Sequence, residues 1–372
     1  MESQKSKLSV LVLFIGVLIF SGCSNNTSNK EKETVKFGAI LGLTGNSGSL
    51  GEDTKNGIQL AIDEQNAKGG ILGKKIVLDV QDSKTDGNTG VSIAKQMLES
   101  GGEKPIAIYT QSSAVSMPVK PVAEKNKTIM FAISGADKLL ENSKYIFRNW
   151  ANPLTAANAI VAFISDSLKV KSIGLFYCNN DYGKSMQKYV SGDCISKGIA
   201  VKFATAFDEK EGDYKSLISE YVSKNKQLEC IYTVGLGGGL GSLTKQIREA
   251  GYNGKIISDI TAPYPNVLNA AGAAGKDMYY LDFAYSNTSL SATQKSYHDA
   301  FVKAYGKEPL NFSVVSYEAM KLLFKAIENA KSFDSDKVVS ELNKIQNYSG
   351  VFGNTSVVNN EVIYSIDVKQ VK

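Results

Sequence analysis

The sequence predicts an α/β protein made of two doubly wound parallel-sheet lobes joined near 149–153. From position 35 onward, short β-rich runs alternate with helical stretches, which is the pattern of βαβ units around a parallel sheet. The alternation breaks near 149–153 and starts again at 172. About 340 residues follow the N-terminal segment, more than one hydrophobic core usually organises.

The N-terminal segment is an address rather than part of that fold. Lys5 and Lys7 precede an apolar run at 8–20, which is shorter than the roughly 20 apolar residues that cross a bilayer. A basic flank, a short apolar stretch and small residues at the break make residues 1–23 a secretory signal. Phe20-Ser21-Gly22-Cys23 resembles the lipobox of bacterial lipoproteins, with Phe20 where Leu is usual. The resemblance implies acylation of Cys23 and an extracytoplasmic chain, anchored by lipid to the cell membrane at the cell surface or in a periplasm. Ordinary cleavage with Cys23 incidental is the alternative. The polar stretch 24–34 is suited to a flexible tether.

Strands are expected at 35–41, 75–80, 106–109, 129–133 and 145–147, with helices at 52–67, 88–99 and 115–125 between them. Pro153 can open a helix at its first turn, where an N–H is not needed, and marks the passage to the second lobe. There the expected strands are 172–177, 201–207, 230–234 and 256–258, and the helices 183–196, 214–223, 240–250 and 265–271. Helices at 292–304, 314–330 and 336–344 and strands at 355–358 and 361–368 are too few for a third domain. They are expected to complete the two earlier sheets, which makes the chain cross between lobes more than once. The lobes are accordingly placed at 35–150 with about 278–340, and at 151–277 with about 341–372.

Composition narrows the function. Apolar content of 43% and charged content of 21% are ordinary for a globular protein. The net charge of +5 comes from 42 basic and 37 acidic residues that are scattered rather than blocked, so no nucleic-acid partner is indicated. Cys178, Cys194 and Cys230 are too few and too widely spaced for a disulfide scaffold or a zinc site. One pair could bridge, leaving a free thiol; all three as small buried hydrophobes is the simpler reading. Neither a metal nor a cofactor is expected.

Open α/β sheets bind ligands beyond the carboxyl ends of their strands, where loops become helix N-termini. Four such loops stand out: the glycine-rich 42–51 around Leu50, then 110–113 with Ser112 and Ser113, 134–137 with Gly135, Ala136 and Asp137, and 179–183 with Tyr182. Hydroxyls and amides suit a carboxylate, and an aromatic ring at a helix start can cover it.

Ile40-Leu41-Gly42-Leu43-Thr44-Gly45, then Gly51, Asn56-Gly57-Ile58-Gln59-Leu60-Ala61-Ile62-Asp63-Glu64 and Gly69-Gly70-Ile71-Leu72-Gly73-Lys74-Lys75-Ile76 resemble the opening of type I periplasmic binding proteins of the leucine/isoleucine/valine-binding kind. Asp181-Tyr182-Gly183 and Phe147-Arg148 also sit where that family has similar motifs. The resemblance implies the type I periplasmic-binding-protein fold, its two lobes joined by hinge strands, and a solute receptor of an ABC importer. Such a receptor captures a small-molecule ligand by clamshell closure and delivers it to a permease with its ATPase subunits, with an amino acid of the branched-chain type favoured and the receptor a monomer. By position, Ser113 and the backbone around Ala136 would hold a ligand carboxylate, Tyr182 would close over it, and Asp259 would pair with an α-ammonium.

Three positions depart from the family. Leu50 replaces a bulky aromatic, Asp137 stands where Thr is usual, and the run containing Leu236 and Gly237 lacks the large ring that amino-acid binders often carry there. Trp150, the only tryptophan, sits at the lobe boundary and can supply an aromatic wall. Another small polar or aromatic acid is therefore the second ligand class.

No enzyme is expected. His298 is the only histidine and is distant in sequence from every cleft loop, which leaves no Ser-His-Asp relay and no histidine metal site there. No Walker loop or HExxH is present. The alternative function is a sensor lipoprotein that presents its closed form to a signalling receptor.

Overall fold

The computed structural model describes residues 33–225, 227–283, 285 and 290–371. The expected signal segment, Cys23 and most of the tether lie outside them. The strands are β1 (Thr34–Leu41), β2 (Lys75–Asp82), β3 (Ala107–Gln111), β4 (Ile129–Ile133), β5 (Ile146–Arg148), β6 (Ser172–Cys178), β7 (Ala200–Phe207), β8 (Cys230–Val234), β9 (Lys255–Ser258), β10 (Tyr279–Phe283), β11 (Tyr348–Gly350), β12 (Gly353–Val358), β13 (Glu361–Ile363) and β14 (Ile366–Gln370). The helices are α1 (Gly48–Ala67), α2 (Gly87–Glu99), α3 (Ser113–Lys125), α4 (Pro153–Ala162), α5 (Asp181–Ser196), α6 (Lys215–Tyr221), α7 (Gly238–Glu249), α8 (Pro265–Ala271), α9 (Ala292–Tyr305), α10 (Asn311–Ala330) and α11 (Ser335–Leu342).

Two sheets carry the fold. The first has the order β11-β12-β13-β5-β4-β3-β1-β2 and the second β14-β10-β9-β8-β6-β7. Strands β1 to β5 pair in parallel, as do β6 to β10. Each lobe therefore winds outward in both directions from its first strand, and the order reverses between β1 and β3 in one lobe and between β6 and β8 in the other. Those switch points are where loops diverge and leave a crevice.

Alternation along the strands buries both faces of the first sheet. Phe37, Ala39 and Leu41 of β1 join the same core as Tyr109 of β3 and Phe131 of β4. Ile40, Ile108, Met130 and Ala132 point the other way, under Ala94 and Leu98 of α2 and Val115 and Val119 of α3. This two-residue period with apolar side chains on both faces is what a helix-covered parallel sheet requires.

The C-terminal elements correct the expected lobe boundaries. Strands β11 to β13 join the first sheet, with Glu361 of β13 in register with Arg148 of β5. Only β14 reaches the second sheet, where it runs antiparallel to β10. The expected strand at 361–368 is thus two strands in different lobes, and β10 belongs to the second lobe rather than the first. The chain crosses between β5 and α4, between β10 and α9, and between β13 and β14. Among the described residues no helix is long and apolar enough to cross a membrane, and no group of three His, Cys, Asp or Glu side chains is placed to hold a metal. Cys178, Cys194 and Cys230 are free thiols, all buried; burial pushes the Cys194 thiol up to about 12.

Candidate ligand-binding site

The crevice is built from strand ends. After β1, Gly42 donates its N–H to Gln111 Oε1 at 3.2 Å, and Asp82 accepts from Leu43 N–H at 2.9 Å and Thr44 Oγ1 at 2.6 Å. These bonds pin the loop that leads into α1. Gly51 permits the approach, since a Cβ there would lie 2.1 Å from the Gly42 carbonyl oxygen. Ser47 and Leu50 are thereby turned toward the second lobe.

After β3 the backbone of Ser112 takes φ 73° and ψ 146°, a conformation that costs a residue with a Cβ about 1–3 kcal/mol and concentrates at binding sites. The strain sets Ser112 as the N-cap of α3, and its buried Oγ has no hydrogen-bond partner. Ser113 Oγ lies 2.9 Å from Ser134 Oγ beyond β4. Arg148 at the end of β5 donates through Nη1 to the carbonyls of Ser134 and Ala136, both at 2.9 Å, and so holds the 134–136 loop rigid.

From the second lobe, Asn180 caps α5 by accepting Gly183 N–H at 3.0 Å, which fixes Tyr182 one residue into the helix. Its ring lies against Gly135, where a Cβ would come 2.3 Å from Tyr182 Cδ2. The lobes are closed at this point. The Tyr182 hydroxyl donates to Asp259, 2.6 Å from Oδ1 and 2.8 Å from Oδ2. Asp259 also accepts Ile260 N–H at 2.7 Å and Gly235 N–H at 3.1 Å. Burial pushes its carboxyl up to about 6, against the pull of those hydrogen bonds. Glu209 accepts Leu236 N–H, and burial pushes it up to about 7.

With the lobes closed, these loops line an interlobe cavity of about 30 Å³. Leu50, Ser112, Ser113, Gly135, Trp150, Tyr182 and Leu236 all line it, as their sequence positions suggest. Ser47, Thr85, Gln111, Ile133, Asn180 and Phe312 line it too. Of these Ser47, Gln111 and Asn180 lay in loops singled out for binding chemistry, and Phe312 arrives from α10 after the chain has returned to the first lobe. Trp150 is wedged edge-on to Phe283 with centroids 5.0 Å apart and tilted on Phe312 at 4.8 Å.

Four expected residues stand elsewhere. Ala136 and Asp137 line a separate recess at the rim with Lys184, Ser185 and Lys188. There the Asp137 carboxylate accepts from Lys188 Nζ at 2.8 Å and Tyr189 Oη at 2.6 Å, and its N–H donates to Ser185 Oγ at 3.0 Å. Burial raises the Asp137 carboxyl, but the bonds from Lys188 and Tyr189 outweigh it and hold the group below the usual range. Gly237 caps α7, and Asp259 is behind Tyr182. None of the four lines the enclosed cavity. The reason is the same for both acids: the partner that takes up each carboxylate sits on α5, whose facing a strand-end pattern does not reveal.

Two doubly wound lobes closed over a shared cavity at their switch points define a clamshell solute-binding protein. The chain matches the family described as periplasmic binding protein over residues 34–371, and belongs to it. It is 27% identical over 349 residues to the Leu/Ile/Val-binding protein homolog 8 of Brucella abortus (strain 2308), covering 88% of this chain and 84% of that one. The leucine-binding protein LivK of Thermotoga maritima is 26% identical with a TM-score of 0.84, over 91% of this chain and 96% of that one. The substrate-binding protein LivJ of Streptococcus pneumoniae, solved with isoleucine, shares the fold at 22% identity and a TM-score of 0.78, over 91% and 100%. Family and fold are those of non-enzymatic solute-binding proteins.

Proposed function

We propose that this chain is the extracytoplasmic receptor of an ABC importer, capturing a small carboxylate-bearing solute, amino acids included, between its lobes and handing it to a membrane permease. The observation that carries the reading is the Ser112 hydroxyl, buried without a partner beside Ser113 at the start of α3, where both residues line the cavity between the lobes. Hydroxyl and helix N-terminal N–H donors suit an anion. Tyr182 supplies the second-lobe wall, so that ligand contacts made to both lobes favour closure. The signal segment and Cys23 would tether the receptor by lipid, with 33–371 acting as a monomer.

Solute released from the denatured protein identifies the cargo by mass spectrometry. Deleting the gene should then abolish high-affinity uptake of that solute. Intact uptake with a lost response to it would move the chain to sensing. Cys23→Ser should release the protein from membranes, and a variant that still sediments with them would remove the anchor.

A further inference from the structure

We infer that closing the lobes takes up a proton at Asp53, so that acid holds the receptor shut and rising pH opens it. The inference rests on the receptor reading above and adds a regulation to it.

Asp53 lies on α1 of the first lobe, one turn beyond Leu50, and is 2% exposed. Its Oδ2 accepts Ser313 N–H of α10 at 2.9 Å and the Tyr264 hydroxyl at 3.2 Å. Tyr264 belongs to the second lobe, between β9 and α8, and its Oη in turn accepts Phe312 N–H at 2.9 Å. One hydroxyl of the second lobe thus joins α1 to the first turn of α10, where Phe312 lines the cavity. Oδ1 of Asp53 is buried without a partner.

On the first-lobe side the cover over Asp53 is permanent. A Cβ on Gly57 would lie 2.1 Å from the Ser313 carbonyl oxygen, and Ser316 Oγ donates to the Thr54 carbonyl at 3.0 Å, so α1 and α10 are packed backbone to backbone. The part of the cover that leaves when the lobes separate is Tyr264, and water then reaches the carboxyl. While the lobes are closed the charge is poorly offset. Lys307, whose field reaches Asp53, is bound by Glu52 at 3.0 Å. Tyr297 of α9 faces the site as a neutral phenol, and Asp282 of β10, whose field reaches Tyr264, is paired with Lys369 at 2.6 Å. Burial therefore pushes the Asp53 carboxyl up to about 6, against the pull of the bonds from Ser313 and Tyr264. Burial also keeps the Tyr264 hydroxyl protonated, hence a donor, throughout this range.

A carboxyl that holds its proton more firmly in the closed state than in the open one binds a proton on closure. The gain is full below the open-state value, near the ordinary Asp range, and is lost as pH rises through about 6. The neutral acid keeps both bonds at Oδ2 and carries its proton on the free Oδ1. The rim pair Asp137 and Lys188 acts in the opposite sense but below this range, because its carboxyl is held low.

The protein, unfolded and refolded to strip bound solute, is followed by small-angle scattering from pH 8 to pH 5 with no ligand added. The closed-to-open ratio should rise about tenfold between pH 7.5 and pH 5, the change supplied by a carboxyl that moves from the ordinary range to about 6 on closure. Asp53→Asn has the shape of the neutral acid, so it should abolish the dependence and stay at the most compact wild-type value throughout. Tyr264→Phe keeps the cover but removes a bond that favours the charged form, so its midpoint should move to higher pH, a shift that a purely structural phenol would not give. A wild-type profile that is flat with pH overturns the inference, as does a dependence that survives in Asp53→Asn. Should Asp53→Asn fail to fold, Tyr264→Phe decides: an unshifted midpoint overturns the inference. The receptor reading is untouched by either failure and is judged by the solute released on denaturation.

Discussion

The Tyr182 hydroxyl bridges both carboxylate oxygens of Asp259, at 2.6 and 2.8 Å. Both residues belong to the second lobe, so the bond fixes the ring before the lobes meet and presents it ready-made to Gly135. Tyr182→Phe keeps that ring but removes the donor from a buried carboxylate, which should cost about 1–3 kcal/mol of stability. Urea denaturation measures it, and an unchanged midpoint would show the bond to be idle. Ligand affinity should fall further in Tyr182→Ala, which also removes the wall.

Gly135→Ala tests closure itself. The added methyl would lie 2.3 Å from Tyr182 Cδ2 and 2.7 Å from Cε2, so the lobes cannot meet as they do here. The variant should fold, yet bind the released solute at least about tenfold more weakly, as expected when contacts from one lobe are lost. Small-angle scattering with solute should report a more open particle; wild-type compaction would refute the mechanism.

The rim pair Asp137 and Lys188 links the lobes outside the cavity. Both side chains are substantially exposed, 36% and 61%, so Asp137→Asn should change global stability by less than about 1 kcal/mol. Its effect belongs to release: solute should dissociate faster, and the salt dependence of that rate should flatten. Because the Asp137 carboxyl is held below its ordinary value, the pair's contribution is present above the unfolded pKa and is lost as pH falls through the folded one. Dissociation rates that match the wild type at low and high salt would remove this role.

Glu318 of α10 is fully buried, accepting Val351 N–H at 3.0 Å and Thr355 Oγ1 at 2.7 Å. Burial pushes its carboxyl up to about 7 despite those bonds. A raised acid holds its proton longer in the folded state, so its contribution is full below the unfolded pKa and is lost as pH rises toward the folded one. Stability should therefore decline from about pH 5 to 8, by at most about 1.4 kcal/mol per unit from this group. Glu318→Gln should flatten that decline, read as urea midpoints at the two pH values; parallel profiles would exclude Glu318 as its source.

The architecture was legible because strand and helix periods differ and each lobe repeats the same alternation. The strand-end loops placed Ser112, Gly135 and Tyr182 in advance, since in a doubly wound sheet those loops converge whatever the side chains do. What the sequence hid was pairing and return. Ser113 and Asp259 look like the two poles of a zwitterion site, with Asp137 an added acid beside them, until Tyr182 is seen to take up Asp259 and Lys188 with Tyr189 to take up Asp137. Phe312 reaches the cavity from α10, nearly 200 residues beyond Ser113 in the chain, and no local period carries that information. The run at 361–368 reads as one strand, yet Tyr364 and Ser365 carry it from one sheet to the other.

That last passage bears on how the molecule comes into being. Strand β13 docks beside β5, and β14 beside β10, so each sheet waits for residues near the C-terminus before its edge is filled. Pairing Glu361 with Arg148 closes a loop of roughly 210 residues, and contacts so remote in sequence form slowly. A nascent chain thus cannot complete either sheet until its final segment is available for pairing.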